Sequence, residues 1–367
     1  MIRLTSIVFP LLAAAALGSP TAPAVPTGAD SDFVHWRHYN FQPGEWPEGL
    51  PGEARTRIEQ WAGWAEENGF RMDVDPTGRV LMLCEAKRNR TVRRELDLIE
   101  KTLDAFDGLV GKELPMPTAD WNEPADEVAV IVRVRDMDSM QSFVGHVASR
   151  HPYLQTWAKQ NPDTMGARFW EPSVAAWIEV GLDRDEWRAE NELVHQTATM
   201  LTRERFGTLP SWLEAGLAWN VELEVCRSIY SFPGRSGFVS IQEHKGWASS
   251  LKRTFQRNDE MTLVAENFDA WTPGVYDAHQ AGIAWGMVAF LQEYRPDCIG
   301  SILTELGECY ESGSVVTRDD GSWERIPEFC VSAEVQSEIF KCWAGEDVYE
   351  ECTEYLRQGS RYRPKAR

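Results

Sequence analysis

Residues 191–222 read NELVHQTATMLTRERFGTLPSWLEAGLAWNVE. Gly207 and Pro210 divide the stretch into two helices, since glycine closes a helix and proline suits the first turn of the next. Asp183, three residues before Glu186, forms a capping-box pair that predicts the start of the first helix. Asn191-Glu192-Leu193-Val194-His195 is one residue away from His-Glu-x-x-His, a pattern that sets two imidazoles on one helix face beside a glutamate able to activate water. At about 100° per residue, Trp187, Val194, Ala198 and Leu201 make an apolar stripe with Asn191 at its edge. His195, Glu192, Arg188 and Thr199 fall on the neighbouring polar flank, so a half-buried helix is expected, with Arg188 and Glu192 spaced as an ion pair.

Upstream, EARTRIEQWAGWAEENGF is helical, and Pro-Thr-Gly at 76–78 turns the chain into the strand RVLMLC. TVRRELDLIEKTLDAFDGLVG has apolar residues at helical spacing and stops at Gly111, whereas DEVAVIVRVRD is β-branched enough for a central strand. A helix over DSMQSFVGHVASRHP follows, then GARFWEPSVAAWIEVG as a turn leading into a strand. Beyond the opening stretch, GVYDAHQAGIAWGMVAFLQEYRP is a third helix, ending before Pro296. Strands alternating with helices and then helices alone predict an α+β domain, a small mixed sheet packed on a helical half.

The central stretch resembles the core of gluzincin-type, peptidase-MA-like secreted zinc metallopeptidases. In them a His-Glu-x-x-His helix is followed about twenty residues on by Pro-x-Trp-Leu-x-Glu-Gly-Leu-Ala, whose Glu is the third zinc ligand. The match rests on Glu192, Leu193, His195, Phe206-Gly207, Pro210, Trp212, Leu213, Gly216, Leu217 and Ala218, and weaker likeness extends it over residues 76–296. The resemblance implies a zincin-like fold at 76–296, after a leader and helix at 25–75 and before a Cys-rich extension at 297–367. It also implies that the strand SVAAWIEV (173–180) lies beside the site and pairs with extended peptide.

The departures from that family fall on the metal ligands: Asn191 stands at the first position and Ala215 at the third, leaving His195 alone. A catalytic zinc normally takes three nitrogen, sulfur or carboxylate ligands, and a neutral amide oxygen is a poor substitute. Glu214 is rotated about 100° from the required direction, and Glu222, though on the face of Ala215, lies about 10 Å further along the axis. Tyr276 and His279, from the next helix, are the remaining candidates for the cleft. Without a metal, Glu192 loses its water to deprotonate. The reading is therefore a pseudo-peptidase with vestigial Glu192 and His195, no cofactor, and a peptide or protein ligand. Its alternative is an active metallopeptidase holding zinc through His195 and His279.

Composition narrows the partners. A formal charge of −20 opposes binding to nucleic acid or an anionic membrane. Arg3, the apolar run IVFPLLAAAALG and the small-x-small triplet Ala22-Pro23-Ala24 read as a signal peptide over 1–24, predicting a secreted or periplasmic protein with no later membrane span. In that setting the cysteines at 226, 298, 309, 330, 342 and 352 are expected to form disulfides, with Cys84 a buried thiol inside its strand. The 16 tryptophans raise a second alternative, glycan binding. Trp61, Trp64, Trp187, Trp212 and Trp285 sit at core spacing, however, which leaves Trp36 and Trp46 as the exposed candidates.

Overall fold

A computed structural model describes residues 52–359 apart from 76–78, 86–88, 112–127, 153, 165, 170–172, 179–187, 233–236, 239–240, 259–262, 264–277, 319–322 and 327–328. The predicted signal peptide, Trp36, Trp46, Trp187 and Tyr276 lie outside the described residues. The fold is mixed α+β around a small sheet. Strands β1 (Arg71–Val74), β2 (Val80–Cys84), β3 (Ala129–Val134), β4 (Gly166–Phe169) and β5 (Val174–Ile178) are ordered β1-β2-β3-β5-β4. The inner three are parallel, and β1 and β4 run antiparallel at the two edges. Parallel strands are covered on both faces, which is why VLMLC, AVIVRV and VAAWI read as nearly unbroken apolar runs.

Alternation along each strand splits the core in two. Leu81, Leu83, Val130, Val132, Ala167, Phe169, Val174 and Ala176 face α1 (Gly52–Glu67), α3 (Met137–Arg150) and α4 (Leu154–Gln160). Val80, Met82, Cys84, Ala129, Ile131, Ala175 and Trp177 face the larger layer. That layer holds α2 (Asn89–Val110), α5 (Ala189–Phe206), α6 (Ser211–Cys226), α7 (Ile241–Arg257) and α8 (Ala278–Tyr294), and continues into α9 (Ile299–Ser314), α10 (Ala333–Ala344) and α11 (Val348–Gln358).

Two expectations are corrected here, the start of the sheet and the reading of GARF. The sheet begins at Arg71, ahead of the boundary at 76, because β1 pairs with β2 along its whole length. The helices that follow Pro296 share their core with the helical layer: Ile302, Phe340, Tyr349 and Leu356 belong to the same cluster as Trp212 and Met287. GARF is a strand rather than a turn, and it covers the side of β5 that the sequence reading left open. Among the described residues most tryptophans are core, with Trp64, Trp157, Trp177, Trp212, Trp219 and Trp247 buried, whereas Trp343, on α10, is 47% exposed. Cys84, Cys298 and Cys352 are buried, and Cys330 and Cys342 are exposed. Among the described residues no helix is long and apolar enough to cross a membrane.

One half-buried imidazole in the smaller layer makes stability depend on acid. His146, on α3, packs against Trp61 and Trp64 at centroid distances of 6.1 and 5.1 Å. Burial first, then the neighbouring charges of Arg150 and His151, push its pKa down to about 4. The folded value is below the unfolded one, so the stabilisation is complete above the unfolded pKa near 6.5 and is lost as pH falls toward 4. Urea melts of His146→Gln across that window are expected to show a shallower pH slope than wild type. Parallel slopes would contradict this assignment.

Candidate functional site

α5 and α6 cross in the middle of the large layer, packed beneath β3 and β5. α5 is not half-buried, as its amphipathic pattern predicted. Asn191, Glu192, Leu193, Val194, His195, Thr197, Ala198 and Thr199 are all buried, because the sheet, α2, α6 and α9 enclose the helix on several sides. The first described residue of α5 is Ala189, and the Asp183–Glu186 capping box lies outside the described residues. Arg188 is extended (φ −134°, ψ 123°) at its N-cap, and its guanidinium lies 4.5 Å over the ring of Tyr230. α6 ends at Cys226 where Arg227 takes a left-handed conformation (φ 59°), which turns the chain into residues 228–230.

The sequence set Glu222 aside on distance, and the structure places it at the centre. Its carboxylate, 0% exposed, accepts the Asn191 Nδ2–H and the Tyr230 N–H on Oε1, both at 2.7 Å. Its other oxygen lies 3.3 Å from His195 Nδ1. Asn191 Nδ2 also donates to the Ser228 carbonyl at 2.7 Å. Position 222 reaches this place because α6 folds back along α5 after a short connection, which sets the end of α6 beside the start of α5. Ala215 is merely buried, and at Gly216 a Cβ would stand 2.8 Å from the Ala284 carbonyl oxygen of α8. Only glycine permits that approach of α8 to α6.

Complete burial, and then the positive charge of Arg168, push the His195 pKa down to about 3. Glu222 alone would pull it up, but the loss of solvent decides the sign, so the ring is neutral at pH 7. Thr199 proves to be packing rather than cleft: it is buried, and its hydroxyl donates to the His195 carbonyl. Glu214 accepts the Leu209 N–H at 3.3 Å. Burial raises its pKa, against the opposing charges of Arg203 and Arg168.

A second polar chain runs to the surface. Glu192 accepts from Gln196 at 2.6 Å, and Gln196 accepts from Arg168 Nε at 3.0 Å. Arg168 sits on β4, so this chain links Glu192 to an edge strand. Neither Arg168 nor Gln196 figured in the sequence reading, since neither belongs to the motif. The alternation of β4 (Ala167 and Phe169 to the smaller core) was the signal that sends Arg168 toward α5.

His279 is half-buried at the start of α8. Among the described residues no three His, Cys, Asp or Glu side chains converge as a ligand set, so His195 and His279 are not brought together in one.

No family model matches the chain, and no curated protein does. The two helices and their polar contacts therefore carry the functional argument.

Proposed function

We propose that this chain is an exported, non-catalytic protein of gluzincin-like, zincin-type build. It takes up extended peptide or protein segments by strand addition along β4. The observation that carries this reading is the position of β4. It is a sheet edge whose Arg168 is joined through Gln196 to Glu192, so an added strand would run alongside the remnant of a catalytic helix. The strand first expected to do this, residues 173–180, is excluded: β5 is paired with β3 on one side and β4 on the other. Among the described residues β4 is the last strand on its side of the sheet, and a sheet edge offers main-chain donors and acceptors that an extended ligand satisfies. The non-catalytic part rests on Asn191, which spends its amide hydrogens on Glu222 and Ser228 and presents no donor oxygen to a metal in that orientation. Without a metal or equivalent electrophile, Glu192 alone does not stabilise the oxyanion of amide cleavage.

Peptides selected by display against the purified protein test the reading. N-methylation of alternate residues is expected to abolish binding in one register and spare it in the other, because only one set of N–H groups faces β4. A casein assay is expected to show no cleavage. Binding indifferent to methylation in both registers would remove strand addition. Cleavage that disappears in Glu192→Gln would remove the non-catalytic assignment.

A further inference from the structure

We infer that Asn191 performs the cross-linking task of a cation, making the centre of α5 and α6 a metal-independent latch that holds segment 228–230. Asn191 is not a vacancy left by a missing ligand. One amide nitrogen at 2.7 Å from both Glu222 Oε1 and the Ser228 carbonyl joins three pieces of chain: α5, α6 and the stretch after α6. Glu222 repeats the connection from the other side, accepting the Tyr230 N–H on the same oxygen that accepts Asn191. Arg188, stacked on the Tyr230 ring, adds a third tie from the N-cap of α5. All the groups at the centre are almost wholly buried, with Asn191 at 2%, His195 at 1%, Tyr230 at 2% and Glu222 at 0% exposure.

The chemistry fits a buried carboxylate. Its donors here are an amide and a peptide N–H, aimed by α5 and by the left-handed turn at Arg227, while the neutral His195 imidazole lies 3.3 Å from the other carboxylate oxygen. A divalent ion between Asn191, His195 and Glu222 would need the Asn191 carbonyl oxygen turned inward. The bond to Ser228 and the donation to Glu222 would both be given up, since the amide group rotates as one plane. Metal and latch are thus mutually exclusive. Leaving those acceptors buried without their donor carries the usual heavy cost of an unmade hydrogen bond, so the latch is expected to matter to folding as well as to local order. The inference stands whether or not β4 takes up a ligand.

The experiment combines zinc chloride, a chelator and amide exchange. On wild type, neither added zinc nor EDTA is expected to shift the melting temperature, and zinc is expected to show no stoichiometric uptake. In Asn191→Leu, which keeps the volume and deletes the donor, exchange at the Tyr230 amide is expected to rise at least about tenfold, with the amides of β3 unchanged. Glu222→Gln retains one acceptor oxygen, so it serves if Asn191→Leu fails to fold. It should raise Tyr230 exchange by a smaller factor, because a charged acceptor is replaced by a neutral one. Wild type that binds one zinc and melts higher with it overturns the inference. So does Tyr230 exchange left unchanged in whichever variant folds.

Discussion

Glu95→Ala is expected to cost about 3–5 kcal/mol of folding stability, and Arg133→Ala about as much. Arg133 stands in β3 on the face turned to the large layer, opposite Cys84 of β2, and its guanidinium pairs with Glu95 of α2. The two side chains are only 5% and 7% exposed, and burial holds the Arg133 pKa below its usual value. Removing either partner leaves the other charge in an apolar core lined by Ile131, Ile99 and Leu103. Removing both is a different matter, since the desolvation cost of the pair goes with it. Glu95→Leu combined with Arg133→Met is therefore expected to recover most of the loss, giving a coupling energy of several kcal/mol in urea melts. A double variant no more stable than the worse single one would show that the pair is not buried as described.

How much of this molecule is legible in its sequence differs from element to element. β2, β3, α2, α3 and α6 lie where periodicity and glycine or proline punctuation put them. β4 was read as a turn because GARF is four residues long and Pro172 follows closely in the sequence, too short a run for alternation to register. α5 was placed but wrongly oriented in solvent. An amphipathic wheel presumes one wet face, and a helix enclosed by a sheet and several other helices has none, so its polar residues serve hydrogen bonds instead of hydration. Of the candidate site, Asn191, Glu192 and His195 were singled out by their likeness to the His-Glu-x-x-His pattern and the Pro-x-Trp-Leu stretch that follows it. Glu222 was visible as a residue on the correct face of α6 but was rejected on axial distance from Ala215. That distance matters only if Ala215 marks the crossing point, and helix crossings are set by ridge packing that no single sequence displays. The Tyr230 N–H and the Ser228 carbonyl are backbone groups, and no residue type announces them.

Gly307→Ala is expected to destabilise the fold by about 3 kcal/mol or more, a large effect for one methyl group. Gly307 lies in the middle of α9, where a Cβ would overlap the carbonyl oxygen of Phe206 in the last turn of α5. That obstacle is backbone, not the flexible end of a side chain, so relief requires α9 to move off α5. Ile302, Leu303 and Leu306 of α9 share a core with Phe206 and Leu209, and they would lose contact as it moved. Helical propensity alone argues the other way, because alanine is favoured over glycine in a helix by up to about 1 kcal/mol. The same substitution at Gly63 in α1, where nothing lies within 4 Å of a new Cβ, isolates that propensity and is expected to be neutral or stabilising. Opposite signs for the two alanine variants in chemical denaturation are the result that the contact between α9 and α5 demands. Matching signs would mean that α9 does not lie against α5 this closely, and with it would go the reason for counting 297–367 as part of the same core.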